Sequence, residues 1–422
     1  MLLRPAERPQ SACRGPIGVP PPFADASAPN ARTLDLKPVA GTPLCGAFGG
    51  TVAAATPPAS ACAWDGPIAT PKTLGEIAEQ RFISKAGDRA VMLPYRDFDP
   101  RRPPVILVHG LMNPAANYMG ELADRLHAAG KQVFVVYYHD TRDPVGKTGK
   151  EVARQLLALR ERYYPEGTPV DIMGLCIGGV VTRAALNYLQ QPGWLGDGAD
   201  LSAAPRAGFG TVRFRAVDTV WDGFFHEAPE DRGGTGVKVA QAVLTPLGLG
   251  GAMELRATSD TFEHLYDVRL DGVDFRHVGV AKPQDSSLFR GIPQYDDREA
   301  LLLARYVMTG TIPADIRVRN WGRALEQEAR YADFKARLAA RLAAEGIGVE
   351  QPSEALRRAL VESFNATVPS YPVLKAPDKR GKRAMRAGWL SHILALKDDK
   401  RRGDDLFDHL LEELGTTAGA GR

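Results

Sequence analysis

From residue 103 to residue 190 the apolar positions of the chain alternate between two periods. Val105-Ile-Leu-Val108, Gln132-Val-Phe-Val-Val-Tyr-Tyr138 and Val170-Asp-Ile-Met-Gly-Leu175 are short, nearly unbroken apolar runs. That pattern suits parallel strands buried on both faces. Between the first two, Met119, Leu122, Ala123 and Leu126 recur at helical spacing over 118–129, and Gly130 stops the helix. Helices are also predicted over 150–163 and from Gly178 to about Gln190. Farther on, 212–217 and 271–280 read as strands and 298–308 as a helix. This alternation predicts an α/β fold, a mostly parallel, doubly wound sheet with right-handed crossovers. A ligand site is then expected at the carboxyl ends of the strands.

The two ends of the chain differ from this middle. Residues 1–75 are rich in Pro, Ala and Gly, with Pro20-Pro-Pro22 and Ala53-Ala-Ala-Thr-Pro-Pro58. They show no period and read as an irregular, largely disordered arm. After Pro313, stretches 331–344, 353–364, 384–396 and 404–414 read as amphipathic helices between Gly- and Pro-containing turns. The expected organisation is therefore the arm, an α/β domain over 76–322, and a helical C-terminal extension over 323–422.

The candidate chemistry lies at the end of the third strand. Gly174-Leu-Cys-Ile-Gly-Gly179 is a Gly-X-Cys-X-Gly-Gly turn between a strand and a helix, the layout of a nucleophile elbow. Gly174 and Gly178 flank Cys176 where a β-carbon would collide with neighbouring backbone. The following helix aims its free amides and positive dipole end at the cysteine, a setting that favours reactive thiols. The alternative is a buried structural cysteine in a glycine-rich turn. The strand Val105-Ile-Leu-Val108 ends in His109-Gly110, on the same predicted edge of the sheet.

These residues carry a family resemblance. The stretch from Val105 to Gly310 resembles the lipase and esterase branch of the α/β-hydrolase superfamily, with cysteine where lipases carry serine. Val105-Ile-Leu-Val-His-Gly110 resembles its strand-to-oxyanion-loop segment, and Asp218-Thr-Val-Trp-Asp-Gly223 its Gly-Thr-Pro-x-x-Gly segment, without the first glycine and the proline. The run from Gly251 to Leu265 resembles the end of a lid, so a lid insertion is expected over about 224–265, with the apolar stretch 237–251 roofing the pocket. The cysteine motif is also similar to those of polyhydroxyalkanoate synthases and dienelactone hydrolases. The resemblance implies that Cys176 attacks an acyl carbonyl and that the amides of Leu111 and Ile177 form the oxyanion hole, with His109 and Gly110 orienting their loop. It implies an acid in the loop after the strand over 271–280, where Asp285 stands, although an Asx turn after Pro283 is an equal reading. It also implies a histidine in the loop 288–297, and none is there; Tyr295 or Asp296 takes that place. His226 and His264 are the substitute candidates for the base, followed by His392 and His409, or the site has no base.

The remaining composition sets bounds. With 422 residues and 44% hydrophobic content the chain can bury a substantial core. A net charge of +3 gives no reason to expect nucleic acid. Cys13, Cys45 and Cys62 fall in the arm and make no disulfide scaffold, although a Cys45–Cys62 bridge stays open. No cysteine or histidine pairs stand at metal-ligand spacing, so neither metal nor cofactor is expected. Gly146-Lys-Thr148 lacks the leading glycine of a phosphate loop. No basic start with an apolar core and no membrane-length apolar stretch is seen, so a cytoplasmic location is expected. The basic run 375–386 allows a peripheral membrane or protein contact through the C-terminal helices. Three functions fit: an acyl hydrolase or acyltransferase acting on a small-molecule or lipid ester or thioester, a silent hydrolase-fold scaffold, and a polyhydroxyalkanoate-synthase-like acyltransferase.

Overall fold

The computed structural model describes residues 68–69, 90–110, 115–139, 143–164, 167–195, 210–221, 259–281, 295–368, 370–372 and 405–415. Strands β1 (Ala90–Pro94), β2 (Pro104–Val108), β3 (Gln132–Tyr138) and β4 (Val170–Leu175) are buried at every position. With β5 (Val212–Val217), β6 (Val273–Ala281) and β7 (Ser370–Pro372) they form one sheet in the order β1-β3-β2-β4-β5-β6-β7. Only the β1–β3 pair is antiparallel among these neighbours. The unbroken apolar runs at β2, β3 and β4 thus form strands covered on both faces, as their pattern implies.

Helices cover both faces. On one, α1 (Ala115–Ala128) packs on β2 and β3. On the other, α2 (Val145–Tyr163) packs on α3 (Ile177–Gln190), which lies on β4. Helix α2 starts at Val145 rather than at 150 because its early glycines serve packing. A β-carbon on Gly149 would stand 2.5 Å from that of Ala184 in α3, and such tertiary contact overrides the low helix propensity of glycine.

Beyond β5 come α4 (Asp260–His264), α5 (Asp297–Thr309), α6 (Ile316–Glu326), α7 (Tyr331–Glu345), α8 (Glu354–Thr367) and α9 (Asp405–Glu413). Caps set several of their starts: Ser259, Asp296, Asp315 and Ser353 each accept an amide of the first turn, and Asp296 and Glu299 form a reciprocal capping box. The last four helices lie in or near the expected extension, but that region also supplies β7, parallel to β6 with Gly279 opposite Ser370. The sheet is thus completed by residues past 322. Residues 384–396, read as a helix, lie outside the described residues, as does most of the arm. Ala69, inside the arm read as irregular through residue 75, is buried and bridges to Tyr95, with its amide 2.8 Å from the Pro94 carbonyl.

The face of the sheet under α9 is charged. Arg213 grips Asp171 on the neighbouring strand through two bonds of 2.6 and 2.8 Å. Lys131 Nζ lies 3.4 Å from Asp171 and donates to the Leu414 carbonyl at 3.0 Å. Glu413 meets Arg215 at 2.8 Å and Arg276 at 3.2 Å. The negative end of α9 therefore rests on a cationic patch of β5 and β6, while its Leu406, Phe407 and Leu410 are fully buried.

Candidate active site

Strand β4 ends in a forced turn. Cys176, the residue before α3, holds φ 56° and ψ −125°, a left-handed backbone that a side chain bearing a β-carbon rarely adopts. Its amide donates to the Val217 carbonyl of β5 at 2.9 Å. The surrounding glycines are there because nothing larger fits. A β-carbon on Gly174 would lie 2.6 Å from the Gly178 carbonyl oxygen, and one on Gly178 would lie 2.3 Å from the carbonyl oxygens of Val108 and His109. One on Gly179 would meet Thr219 Oγ1 at 2.0 Å. The first turn of α3 is thereby wedged between the carboxyl ends of β2 and β5. The amides of Ile177 and Gly178, in that first turn, have no acceptor within the helix.

The end of β2 closes on the same point. A β-carbon on Gly110 would stand 3.0 Å from that of Cys176. His109 is fully buried and stacks on Tyr138, with ring centres 4.2 Å apart and planes 19° apart. The Tyr138 hydroxyl donates to the His109 carbonyl at 2.6 Å, and His109 Nδ1 lies 2.9 Å from the Gly110 carbonyl oxygen. The imidazole is committed to holding its own turn. Leu111, expected to supply the second oxyanion amide, lies outside the described residues.

The histidines divide by position. His226, His392 and the acid Asp285 lie outside the described residues. His264 is not brought to Cys176. It sits at the opposite end of α3, where its carbonyl accepts from Trp194 Nε1 at 3.0 Å and its Nδ1 lies 2.7 Å from Asp267 Oδ2. Helix α3 has 14 residues, which separates its two ends by about 20 Å. His264 borders a cleft of ≈ 360 Å³ with Lys147, Tyr188, Trp194 and Thr261. The segment resembling a lid terminus is there part of the core, since Phe262 and Leu265 are fully buried. His409 borders a second cleft of ≈ 330 Å³ with Arg213, Arg215 and Asp274, under the amino-terminal halves of β5 and β6. Neither cleft is bordered by Cys176. Cys176 is 2% exposed, and among the described residues no imidazole hydrogen-bonds its sulfur. Among the same residues no cluster of acids, histidines and cysteines has the makings of a metal site, and no helix is long and apolar enough to cross a membrane.

The fold is that of the α/β-hydrolases. A strand leading through a strained cysteine into a helix, at the carboxyl edge of a mostly parallel sheet, is the defining geometry. No family model matches the sequence, and no curated protein does. Among solved structures, the chain is similar to lipase BlEst2 of Bacillus licheniformis. Its propeptide form is 14% identical, with 46% of this chain and 39% of that one covered at a TM-score of 0.30. Its mature form is 15% identical over 46% and 72% at 0.29. Esterase B of Lactobacillus rhamnosis inhibited by a tributyrin phosphonate is 15% identical over 52% and 76% at 0.30. At these scores the likeness carries no argument about chemistry, which rests on the site itself.

Two features of this edge escape a reading of the sequence. Asp218, the first residue past β5, has φ 47°, and Thr219 packs on the start of α3. The segment carrying them was expected from its resemblance, but the positive φ of Asp218 and the seat of Thr219 against Gly179 are seen only in the backbone.

Proposed function

We propose that this chain is an acyl-group enzyme, a hydrolase or acyltransferase whose nucleophile is Cys176. The observation that supports it is the strained backbone of that one cysteine, at the start of α3 and enforced by Gly174, Gly178 and Gly179. Strain of this kind persists where the surroundings over-determine it, and it gathers at functional sites. In the reaction a base takes the thiol proton and Sγ adds to an ester or thioester carbonyl, whose π pair moves to oxygen. The amides of Ile177 and Leu111 then hold the oxyanion. Losing one such donor costs roughly 3 kcal/mol of transition-state stabilisation. Collapse expels the alcohol or thiol with the proton, and water or an acceptor alcohol releases the acyl-cysteine. In this reading the apolar stretch 237–251 covers the acyl chain.

The strand order supports one base candidate over the others. The loop 288–297 precedes α5, but among the described residues the last strand of the sheet is β7, ending at Pro372. The first histidine beyond that strand is His392, and we assign the base to it in preference to His226. In this reading Asp285 is the candidate for the orienting carboxylate.

The full chain is to be assayed against p-nitrophenyl esters and acyl-coenzyme A thioesters of increasing length, beside Cys176→Ala. Turnover lost in the variant, with an acyl adduct on the Cys176 peptide, supports the reading. No turnover, with Cys176 alkylating no faster than Cys13, Cys45 and Cys62, defeats it. The silent scaffold is the second reading, favoured by the 2% exposure of Cys176 and by the lack of an imidazole on its sulfur among the described residues. Polymer formed from a hydroxyacyl thioester would identify the synthase-like transferase instead.

A further inference from the structure

We infer that the cleft between the start of α2, the end of α3 and α4 is a second binding site, shaped for a zwitterionic amino acid with an apolar side chain. It is independent of the acyl-enzyme reading, because Cys176 forms none of its walls. The cleft holds ≈ 360 Å³. That is at the small end of the range for small-molecule sites and suits a free amino acid rather than a larger ligand. Packing fixes its floor: a β-carbon on Gly146 would stand 2.6 Å from Leu195 Cδ1 and 3.1 Å from Thr261 Oγ1.

One part of the lining is aromatic. Tyr188 and Trp194 meet edge to face, with ring centres 5.2 Å apart and planes at 81°. Trp194 Nε1 donates to the His264 carbonyl at 3.0 Å, so the indole is held in place and offers a ligand its apolar surface.

The polar part of the lining decides the ligand's charges. His264 Nδ1 lies 2.7 Å from Asp267 Oδ2, and Arg323 donates to the other oxygen of that carboxylate at 2.5 Å. Burial raises the Asp267 carboxyl, but the bonds from His264 and Arg323 outweigh it and hold the group below its ordinary value. An ionised carboxylate only accepts, so the ring proton sits on Nδ1 and the neutral imidazole presents Nε2 as an acceptor. Asp260 adds a second acceptor and Lys147 a cation. Both of these side chains are exposed, and among the described residues neither is in an ion pair. Two acceptors fit an ammonium group, and the lysine fits a carboxylate. A purely anionic ligand would meet Asp260 uncompensated, and a purely cationic one would meet Lys147. A zwitterion leaves neither charge opposed, while its side chain lies on Tyr188 and Trp194.

The test titrates the full chain by calorimetry with phenylalanine, phenethylamine and phenylpropionate, in wild type, Asp260→Asn, Lys147→Met and Cys176→Ala. Wild type should bind phenylalanine saturably at millimolar concentration. D260N and K147M should each weaken that binding by about ten-fold or more, the usual effect of losing a hydrogen bond to a charged group. Phenethylamine, which keeps only the ammonium, should lose affinity in D260N and not in K147M; phenylpropionate should show the reverse. C176A should bind all three as wild type does. Both substituted positions in the cleft are exposed, so the melting temperatures of D260N and K147M should match that of wild type. Absence of saturable phenylalanine binding to wild type overturns the inference, as do unchanged affinities in D260N and K147M or loss of binding in C176A. Phenylpropionate bound more tightly than phenylalanine overturns the assignment of a zwitterion.

Discussion

One oxygen of Glu328, Oε2, accepts from both the backbone amide of His277 at 2.6 Å and its ring Nδ1 at 2.9 Å. An ionised carboxylate only accepts, so the ring proton sits on Nδ1. Arg330 completes the unit, donating to Glu328 Oε1 at 2.8 Å and to the His277 carbonyl at 2.8 Å, while the Ala329 amide donates to the Phe275 carbonyl at 2.8 Å. Three consecutive residues thus serve the outer edge of β6 as a strand would, up to the point where β7 takes over. Trp321 stacks on the His277 ring at 5.4 Å and covers it. The unit closes a sheet edge and makes no use of His277 as a base.

Glu328→Gln is expected to destabilise the fold by about 3 kcal/mol, because it leaves Arg330 without its buried counter-charge and His277 with a poorer acceptor. Burial raises the Glu328 carboxyl, but the hydrogen bond from His277, that residue's charge and then Arg330 outweigh it and hold the group below its ordinary value of 4.5. A lowered acid contributes its stability in full above the ordinary value and loses it as pH falls through the native one. Denaturant titrations should therefore show a constant gap between wild type and E328Q from neutrality to about pH 5, narrowing in more acid solution. A gap that widens on acidification contradicts the assignment.

Asp171→Asn tests the charged face under α9. It strands Arg213 and Lys131 beside a buried neutral amide, at a cost of about 3–5 kcal/mol. Arg337→Ala breaks only the exposed pair with Asp333, whose side chains are 50% and 52% exposed, and should change stability by no more than about 0.5 kcal/mol. Urea unfolding should show a lower midpoint for D171N with an unchanged slope.

Histidine substitutions separate His264 from the proposed base. His264→Ala should leave turnover intact, since that imidazole borders the Lys147–Trp194 cleft at the far end of the helix. His392→Ala should lower kcat by roughly a hundred-fold or more, the usual loss for a general base. Equal activity in both variants would remove His392 from the site.

How much of this was legible follows from what each feature depends on. Buried strands and the elbow are local: Val105-Ile-Leu-Val108 and Gly174-Leu-Cys-Ile-Gly-Gly179 announce themselves by apolar runs and glycine spacing. Helix α6 escapes because arginines interrupt its apolar stripe, Ile316, Val318, Trp321 and Leu325. Strand β7 is three residues long and ends in proline; it exists only because β6 offers an edge. The strain at Asp218 is likewise a product of register, and no residue pattern encodes it.

Two glycine-to-alanine changes carry opposite signs and test whether the elbow is as tight as its geometry. At Gly178 the new β-carbon would meet the Val108 and His109 carbonyl oxygens at 2.3 Å. These are backbone atoms at the end of β2 and of the turn that follows it, so neither side can yield without moving β2 or α3. A loss of at least about 3 kcal/mol is expected, with Cys176 chemistry lost as well. At Gly120, within α1, a β-carbon meets nothing within 4 Å and the backbone is ordinary helix. Alanine there should stabilise the protein by about 0.5–1 kcal/mol by removing the conformational freedom of glycine from the unfolded chain. Thermal unfolding of both variants reads the two shifts directly, and a G178A protein as stable as wild type would mean that α3 does not abut β2 as described.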